Sequence, residues 1–164
     1  MYEGQITLRD AVPEDLPFLA RLYSDTRRQE VAPWGWPPEQ QEMFLRMQFD
    51  AQRASYRSVY PGATDRIVCL ENTAVGRMLV NEDAAGMRLV DIALLAEQRN
   101  RGIGTELLCG LLRECETQGR ILCLQVLQGN PAIRLYQRLG LRQSGGDSMY
   151  AQMEWTPLPV TERS

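Results

Sequence analysis

The apolar positions of this chain change their spacing from one segment to the next, and those changes mark out its elements. Ile6-Thr7-Leu8-Arg9 alternates, as a first strand does. After a turn at 10–15, Leu16, Leu19, Leu22 and Tyr23 fall on one face of a helix. Residues 31–38 read Val-Ala-Pro-Trp-Gly-Trp-Pro-Pro, a loop broken by its prolines and glycine. Pro37 or Pro38 opens the next helix, with Glu39 and Glu42 in its first turn, and the pattern carries it to about Tyr56. This helix shows two apolar faces: Phe44, Met47, Ala51 and Ala54 on one, Leu45, Phe49 and Tyr56 on the other. An outer helix needs only one buried face. The second is expected to cover a substrate channel, a lid or a partner subunit, unless the whole helix is more deeply buried than usual.

The middle of the chain reads as strands. Tyr60-Pro61-Gly62-Ala63 is a turn; 65–70 and 74–81 are strands joined by the tight turn 71–73, a hairpin. Gly76 inside the second of these hints at a bulge. A further turn, 81–86, leads to 87–95, a run so apolar that it suits a buried strand. Leu107, Leu108, Leu111, Leu112 and Cys115 then mark a helix that Gly119 ends. Residues 121–127 are apolar on both faces, an interior strand, and a helix between two such strands makes them parallel neighbours. Asn130 is a natural N-cap and Pro131 a natural first residue of a helix that Gly140 stops. Met149, Ala151, Met153 and Trp155 alternate as a last strand, and the pattern assigns no element to 142–148. The expectation is one domain over 1–156, with a polar tail at 157–164.

Composition narrows the chemistry. The 164 residues suffice for one real core. No histidine is present, which removes Ser-His-Asp and Cys-His mechanisms and most zinc sites; no metal is expected. All 18 basic residues are arginine, so a Walker lysine and a Schiff-base lysine are impossible. The net charge of −3 argues against a nucleic-acid partner and suits a cationic substrate. No apolar run approaches a membrane span, and Met1-Tyr2-Glu3-Gly4-Gln5 lacks the basic-then-apolar pattern of a secretory signal. Cys69, Cys109, Cys115 and Cys123 form no CxxC pair and read as reduced thiols of a cytoplasmic protein.

The chemistry concentrates at Arg99-Asn100-Arg101-Gly102-Ile103-Gly104-Thr105, a strand-to-helix turn. Glycines there let a ligand approach the N–H groups of a helix N-terminus, where the dipole is positive, and two arginines stand beside them. That composite is an anion cradle suited to a phosphate or pyrophosphate. Arg99-x-x-Gly102-x-Gly104 resembles the (Gln/Arg)-x-x-Gly-x-(Gly/Ala) motif of the GCN5-related N-acetyltransferase (GNAT) superfamily. One strand later, Asn130-Pro131-Ala132-x-x-Leu135-Tyr136-x-x-x-Gly140-Leu141 is very like that family's late motif. The resemblance spans about 6–155, with 28–61 outside its specific part. A rival, the dinucleotide-binding GxGxxG, starts at Gly102 but meets Leu107 at its third glycine.

The resemblance implies an α/β (α+β) fold: a mixed, largely antiparallel twisted sheet flanked by helices, its two central parallel strands splayed to admit the cofactor. It implies acetyl transfer from acetyl-CoA, as cosubstrate, to a primary amine of a small molecule or peptide by direct attack. Backbone at Ile92, Ala93 and Leu94 would pair with the pantetheine arm, with one N–H, Leu94 the best choice, polarising the thioester carbonyl. Arg99 and residues Asn100, Arg101, Gly102, Ile103, Gly104 and Thr105 would hold the pyrophosphate, and Asn130 would contact the pantetheine or cap its helix. Tyr136 would protonate the leaving thiolate, a sensible role for a phenol, which ordinarily titrates near ~10. Without histidine the general base is a carboxylate: Asp91 on the central strand, or Glu97 just before the cradle. Asp91 has a second reading, as partner to Arg77 or Arg88. Trp34, Trp36, Gln48, Tyr56 and Tyr60 are the candidate substrate-binding residues, since aromatic rings grip cations and flat apolar groups; a structured hydrophobic loop is the other reading of the tryptophans. A homodimer is expected from the resemblance and from the spare face at Leu45 and Phe49. A non-catalytic acyl-CoA-binding module on the same scaffold remains the alternative function.

Overall fold

In a computed structural model, residues 4–158 are described. The polar tail therefore lies almost wholly outside the described residues, at 159–164, as do Met1, Tyr2 and Glu3. The strands are β1 (Ile6–Asp10), β2 (Thr64–Leu70), β3 (Thr73–Asp83), β4 (Gly86–Leu94), β5 (Leu122–Leu127), β6 (Arg142–Gly146) and β7 (Tyr150–Trp155). The helices are α1 (Leu16–Val31), α2 (Pro38–Val59), α3 (Ile103–Gln118) and α4 (Ala132–Arg138). The strands form one sheet in the order β1-β2-β3-β4-β5-β7-β6. It is mixed: β1–β2, β5–β7 and β6–β7 are antiparallel and β4–β5 is parallel. The chain falls into two compact units that share strands β3 and β4.

The first unit comprises residues 4–79 and 91–103 of the described chain. Its core is built from Leu19, Phe49, Ile67 and Cys69, so α1 and α2 bury their apolar stripes against β2. Tyr23 and Phe49 meet with ring centroids 5.8 Å apart. Arg9 and Asp15 lock β1 to the start of α1: the Asp15 carboxylate accepts two guanidinium bonds of 2.8 Å each and the Val12 N–H at 2.8 Å. The β2–β3 hairpin turns on Glu71 and Asn72, both at positive φ (49° and 68°), as a two-residue primed turn requires.

The two faces read on α2 are corrected here. Leu45 and Phe49 are core, 2% and 1% exposed, whereas Met47 on the other face is 63% exposed. Leu45 and Phe49 therefore provide no spare face for a partner. The pattern misled because methionines on a solvated surface score as apolar, while the stripe that packs is set by α1 and β2.

The second unit comprises residues 80–90 and 104–158 of the described chain. Its core draws on Met87, Leu89, Leu108, Leu111, Cys115, Leu122, Leu124 and Met153, each at most 5% exposed. The parallel register pairs Met87–Leu89 with Leu122–Leu124, and β4 continues beyond it to Leu94. Strand β6, missed in the pattern, is exposed along its length and pairs only with β7, with an irregular register between Gln143 and Gly145. An edge strand with no buried side chain has no apolar alternation to reveal it. Residues 81–83, read as a turn, extend β3 instead, and the turn is made by Asp83, whose carboxylate accepts the Ala85 and Gly86 N–H groups at 2.8 and 3.2 Å.

Candidate active site

The glycine turn follows β4 through a short 3-10 segment, Ala96–Gln98. The Leu95 N–H donates to the Val75 carbonyl on β3 at 2.9 Å. Strand backbone alternates its hydrogen-bonding edges, so the preceding Leu94 N–H points away from β3. A backbone donor is thus turned outward at the residue expected to polarise a thioester. Ile92, Ala93 and Leu94 are themselves only half-buried. Gly76 lies opposite this stretch: a Cβ there would stand 2.5 Å from the Ala93 carbonyl oxygen. Gly76 thus permits a close approach of strand backbone.

The cradle's shape comes from side chains of the turn itself and from Asp25, which no local pattern singles out. The Asp25 carboxylate accepts the Ala96 N–H at 2.6 Å and lies 3.8 Å from Arg99. Arg99 donates through Nε to the Leu94 carbonyl at 3.1 Å, and Arg101 donates to the Gln98 side chain at 2.7 Å. Both arginines thus brace the turn. Asn100 and Gly102 take positive φ, 60° and 92°, while Ile103, fully buried, anchors the start of α3. At Gly102 and Gly104 no further atom of the described residues lies within 4 Å of where a Cβ would stand. The first-turn N–H groups of α3, with Thr105 exposed beside them, have no intrahelical acceptors. Open space, helix-start N–H groups and positive charge fit the pyrophosphate of a CoA thioester.

In the second unit, Asn130 caps α4: its side-chain oxygen accepts the Ala132 N–H at 2.9 Å and its carbonyl accepts the Ile133 N–H at 3.0 Å. Tyr136 lies on the same helix, 7% exposed.

The candidate bases are sharply different. Asp91 lies 3.7 Å from the Arg77 guanidinium, and Arg77, 7% exposed, also holds Asp65 through two bonds of 2.9 and 3.0 Å. Burial pushes the Asp91 carboxyl above its ordinary range, against the pull of Arg77 and Arg27. Tyr56 stacks near Arg77, 5.8 Å from guanidinium carbon to ring centre, and burial first, then the charge of Asp91, pushes its phenol up to about 12. The Glu97 side chain is 59% exposed and lies 3.9 Å from Arg21. Asp91 therefore has the arginine partner of its second reading, in Arg77, while burial raises the proton affinity of its carboxyl.

The five substrate candidates do not gather in one place. Trp34 and Trp36 pack edge-on against each other and against Phe44, with centroids 5.1 to 5.5 Å apart, yet remain 49% and 38% exposed. The Gln41 side chain ties this loop by donating to the Trp36 carbonyl at 2.8 Å. Tyr56 and Tyr60 instead line a cavity of about 170 Å³ together with Arg53, Arg57, Asp65 and Arg77. Phe44 and Tyr56 are about 18 Å apart along the helix axis, at a rise of ~1.5 Å per residue. Gln48 lies exposed between them. Arg53 and Arg57 were not singled out in the sequence because on a solvated helix they look like ordinary surface charge. Among the described residues no group of three or more potential ligands could hold a metal, and no helix is long and apolar enough to cross a membrane.

Comparison with known proteins places these features. The model of the acetyltransferase (GNAT) domain matches residues 5–142. Among solved structures, the chain is similar to the PaiA N-acetyltransferase of Thermoplasma acidophilum in complex with coenzyme A (18% identity, 93% of this chain and 99% of that one, TM-score 0.70). It is similar to an acetyltransferase of Thermus thermophilus (19%, 95% and 99%, TM-score 0.68). It is also similar to the ribosomal-protein-S18-alanine N-acetyltransferase of Escherichia coli (19%, 98% and 99%, TM-score 0.65). At such identities these likenesses concern the fold. No curated protein matches the chain in sequence.

Proposed function

The chain belongs to the GNAT acetyltransferase family, and from that premise we propose that it transfers an acetyl group from acetyl-CoA to a primary amine by direct attack. The observation that carries this reading is the start of α3, where Gly102 and Gly104 leave open space beside the first-turn N–H groups, which have no acceptor within the helix. The acyl thioester is the group the cosubstrate supplies. The chain's own part is to bind and to move protons. The first turn of α3 holds the pyrophosphate, and the outward backbone edge of β4 aligns the pantetheine arm. The Leu94 N–H stabilises the oxyanion, a role that needs a fixed donor and no side chain. Asp91 accepts the proton from the ammonium form of the acceptor; a carboxyl raised by burial is closer to the proton affinity this step needs. Tyr136 gives a proton to the departing thiolate.

Thermal unfolding with acetyl-CoA, with NADH and ATP as controls, tests the premise. At ~100 times its dissociation constant a ligand adds about 2.7 kcal/mol, enough to move the midpoint by several degrees. A shift with acetyl-CoA alone supports the reading, and no shift at millimolar acetyl-CoA overturns it. Tyr136→Phe separates enzyme from binding module: turnover should fall about 100-fold while the thermal shift persists. Turnover unchanged across pH removes Tyr136 from the mechanism, and absence of thiol release with every amine favours the module.

A further inference from the structure

The cavity at the end of α2 carries a charge pattern unlike the rest of the chain. Arg53 and Arg57 stand one helical turn apart, as do Tyr56 and Tyr60, and all four line one small cavity. Its remaining charged walls are Arg77 and Asp65, which bind each other. Arg46, two turns earlier on the same helix, has Asp50 at 3.5 Å. Among the described residues neither Arg53 nor Arg57 is ion-paired with a carboxylate, since Asp65, which shares the cavity, is held by Arg77; Arg53 rests on the Phe49 ring, 5.8 Å from its centre. Two uncommitted guanidiniums thus meet two phenols in a cavity of about 170 Å³, on a chain whose net charge is −3. Such a site is a poor host for a polyamine or another bare cation. It suits a carboxylate, which guanidinium forks bind through paired, charge-assisted bonds. The cavity is smaller than the ~300–1,000 Å³ of drug-sized pockets, so it takes a small acid. Arg77 connects it to the candidate base: the same guanidinium that lines the cavity lies 3.7 Å from Asp91.

We propose that this cavity reads a carboxylate on the acetyl acceptor, which makes the acceptor an amino acid, an amine and an acid in one small molecule, in place of a simple amine or polyamine. Arg53 and Arg57 take the carboxylate, and the rings of Tyr56 and Tyr60 enclose the carbon skeleton beside it. The inference rests on the transferase reading for the identity of the reaction, but the cavity's preference for acids is independent of it.

Two measurements keep these apart. Thiol release from acetyl-CoA is followed with four probes at equal concentration: pooled free amino acids, their amides, pooled dipeptides, and pooled alkyl amines with polyamines. Free amino acids should react at least about tenfold faster than their amides. In the variant R53Q/R57Q the KM for the amino-acid pool should rise about tenfold or more, with kcat changed much less and the acetyl-CoA thermal shift retained. Amides or polyamines matching the free acids overturns the proposal and leaves the transferase reading standing. Dipeptides outpacing free amino acids overturns the free-amino-acid assignment. In parallel, the amino-acid pool is titrated into ¹⁵N-labelled protein and the arginine Nε–H signals are followed. Displacement of the signals lost in R53Q and R57Q supports the carboxylate site even if no probe releases thiol, and unmoved signals overturn it.

Discussion

Arg99 and Arg101 beside the glycine turn, and Arg53 and Arg57 beside the α2 cavity, are pairs of the same residue with different employment. Arg99 is bonded to the Leu94 carbonyl and lies near Asp25; Arg101 is bonded to Gln98. Their side chains shape a turn whose proposed ligand-binding groups are backbone N–H donors. The cavity pair has no ion pair among the described residues, the one carboxylate of the lining, Asp65, being held by Arg77, so there the side chains themselves remain for a ligand. A backbone site can be written in a short motif, because glycine and turn geometry create it locally. A side-chain site needs residues from α2, β2 and β3 to arrive together.

The most damaging way to break the cavity is through Arg77. Arg77→Met leaves Asp65 and Asp91 facing each other without their buried cation, and should destabilise the protein by about 3 kcal/mol in urea unfolding. A loss within ~0.5 kcal/mol would show the cluster to be well hydrated. Next comes the backbone behind the acyl site. Gly76→Ala sets a methyl against the Ala93 carbonyl and should cost about 2 kcal/mol while weakening the acetyl-CoA thermal shift. A stability loss with full acetyl-CoA affinity would mean that β4 absorbs the strain without moving its outward edge.

The cradle offers a cleaner contrast. Gly104→Asp places a negative charge in open space, so it should lower acetyl-CoA affinity about tenfold, with stability held within ~0.5 kcal/mol. Isothermal titration and urea unfolding read the two quantities separately, and unchanged affinity would take the pyrophosphate away from this turn. Arg99→Gln should be the opposite case, loosening the turn and lowering affinity only about threefold, since Arg99 acts through Leu94 and Asp25. The last expected effect, on stability alone, lies far from both sites. The Arg9 pair, then the Val12 N–H, lowers the Asp15 carboxyl from 3.8 to about 2. Its stabilisation is complete above the unfolded value and is lost as pH falls through about 2. With Arg9 half-exposed, solvent screening leaves about 1 kcal/mol, so Asp15→Asn should lower stability at pH 7 by that amount and flatten the acid limb below pH ~4.

Local pattern suffices for those parts of this protein that are made by neighbours in the chain. The alternation of β1 and β7, the stripes of α1 and α3, the Asn130 cap and the glycine turn each depend on residues a few positions apart, and each lies where the pattern put it. The pairing of Asp91 with Arg77 was legible as one of two readings because a charge inside an apolar strand demands a partner. Other features needed the folded chain. Which face of α2 is core depended on α1 and β2 arriving to bury Leu45 and Phe49 and leave Met47 outside. Strand β6 exists because β7 offers it an edge, and its own side chains bury nothing. Asp25 reaches the Ala96 N–H across 71 positions of sequence. The cavity joins Arg53 and Tyr60 to Asp65 and Arg77, and separates Tyr56 from Trp34, because a helix about 33 Å long, at ~1.5 Å per residue, keeps its two ends apart. Long-range assembly of that kind leaves no periodic trace, since any one arginine on a solvated helix obeys the same local rules whether or not a ligand awaits it.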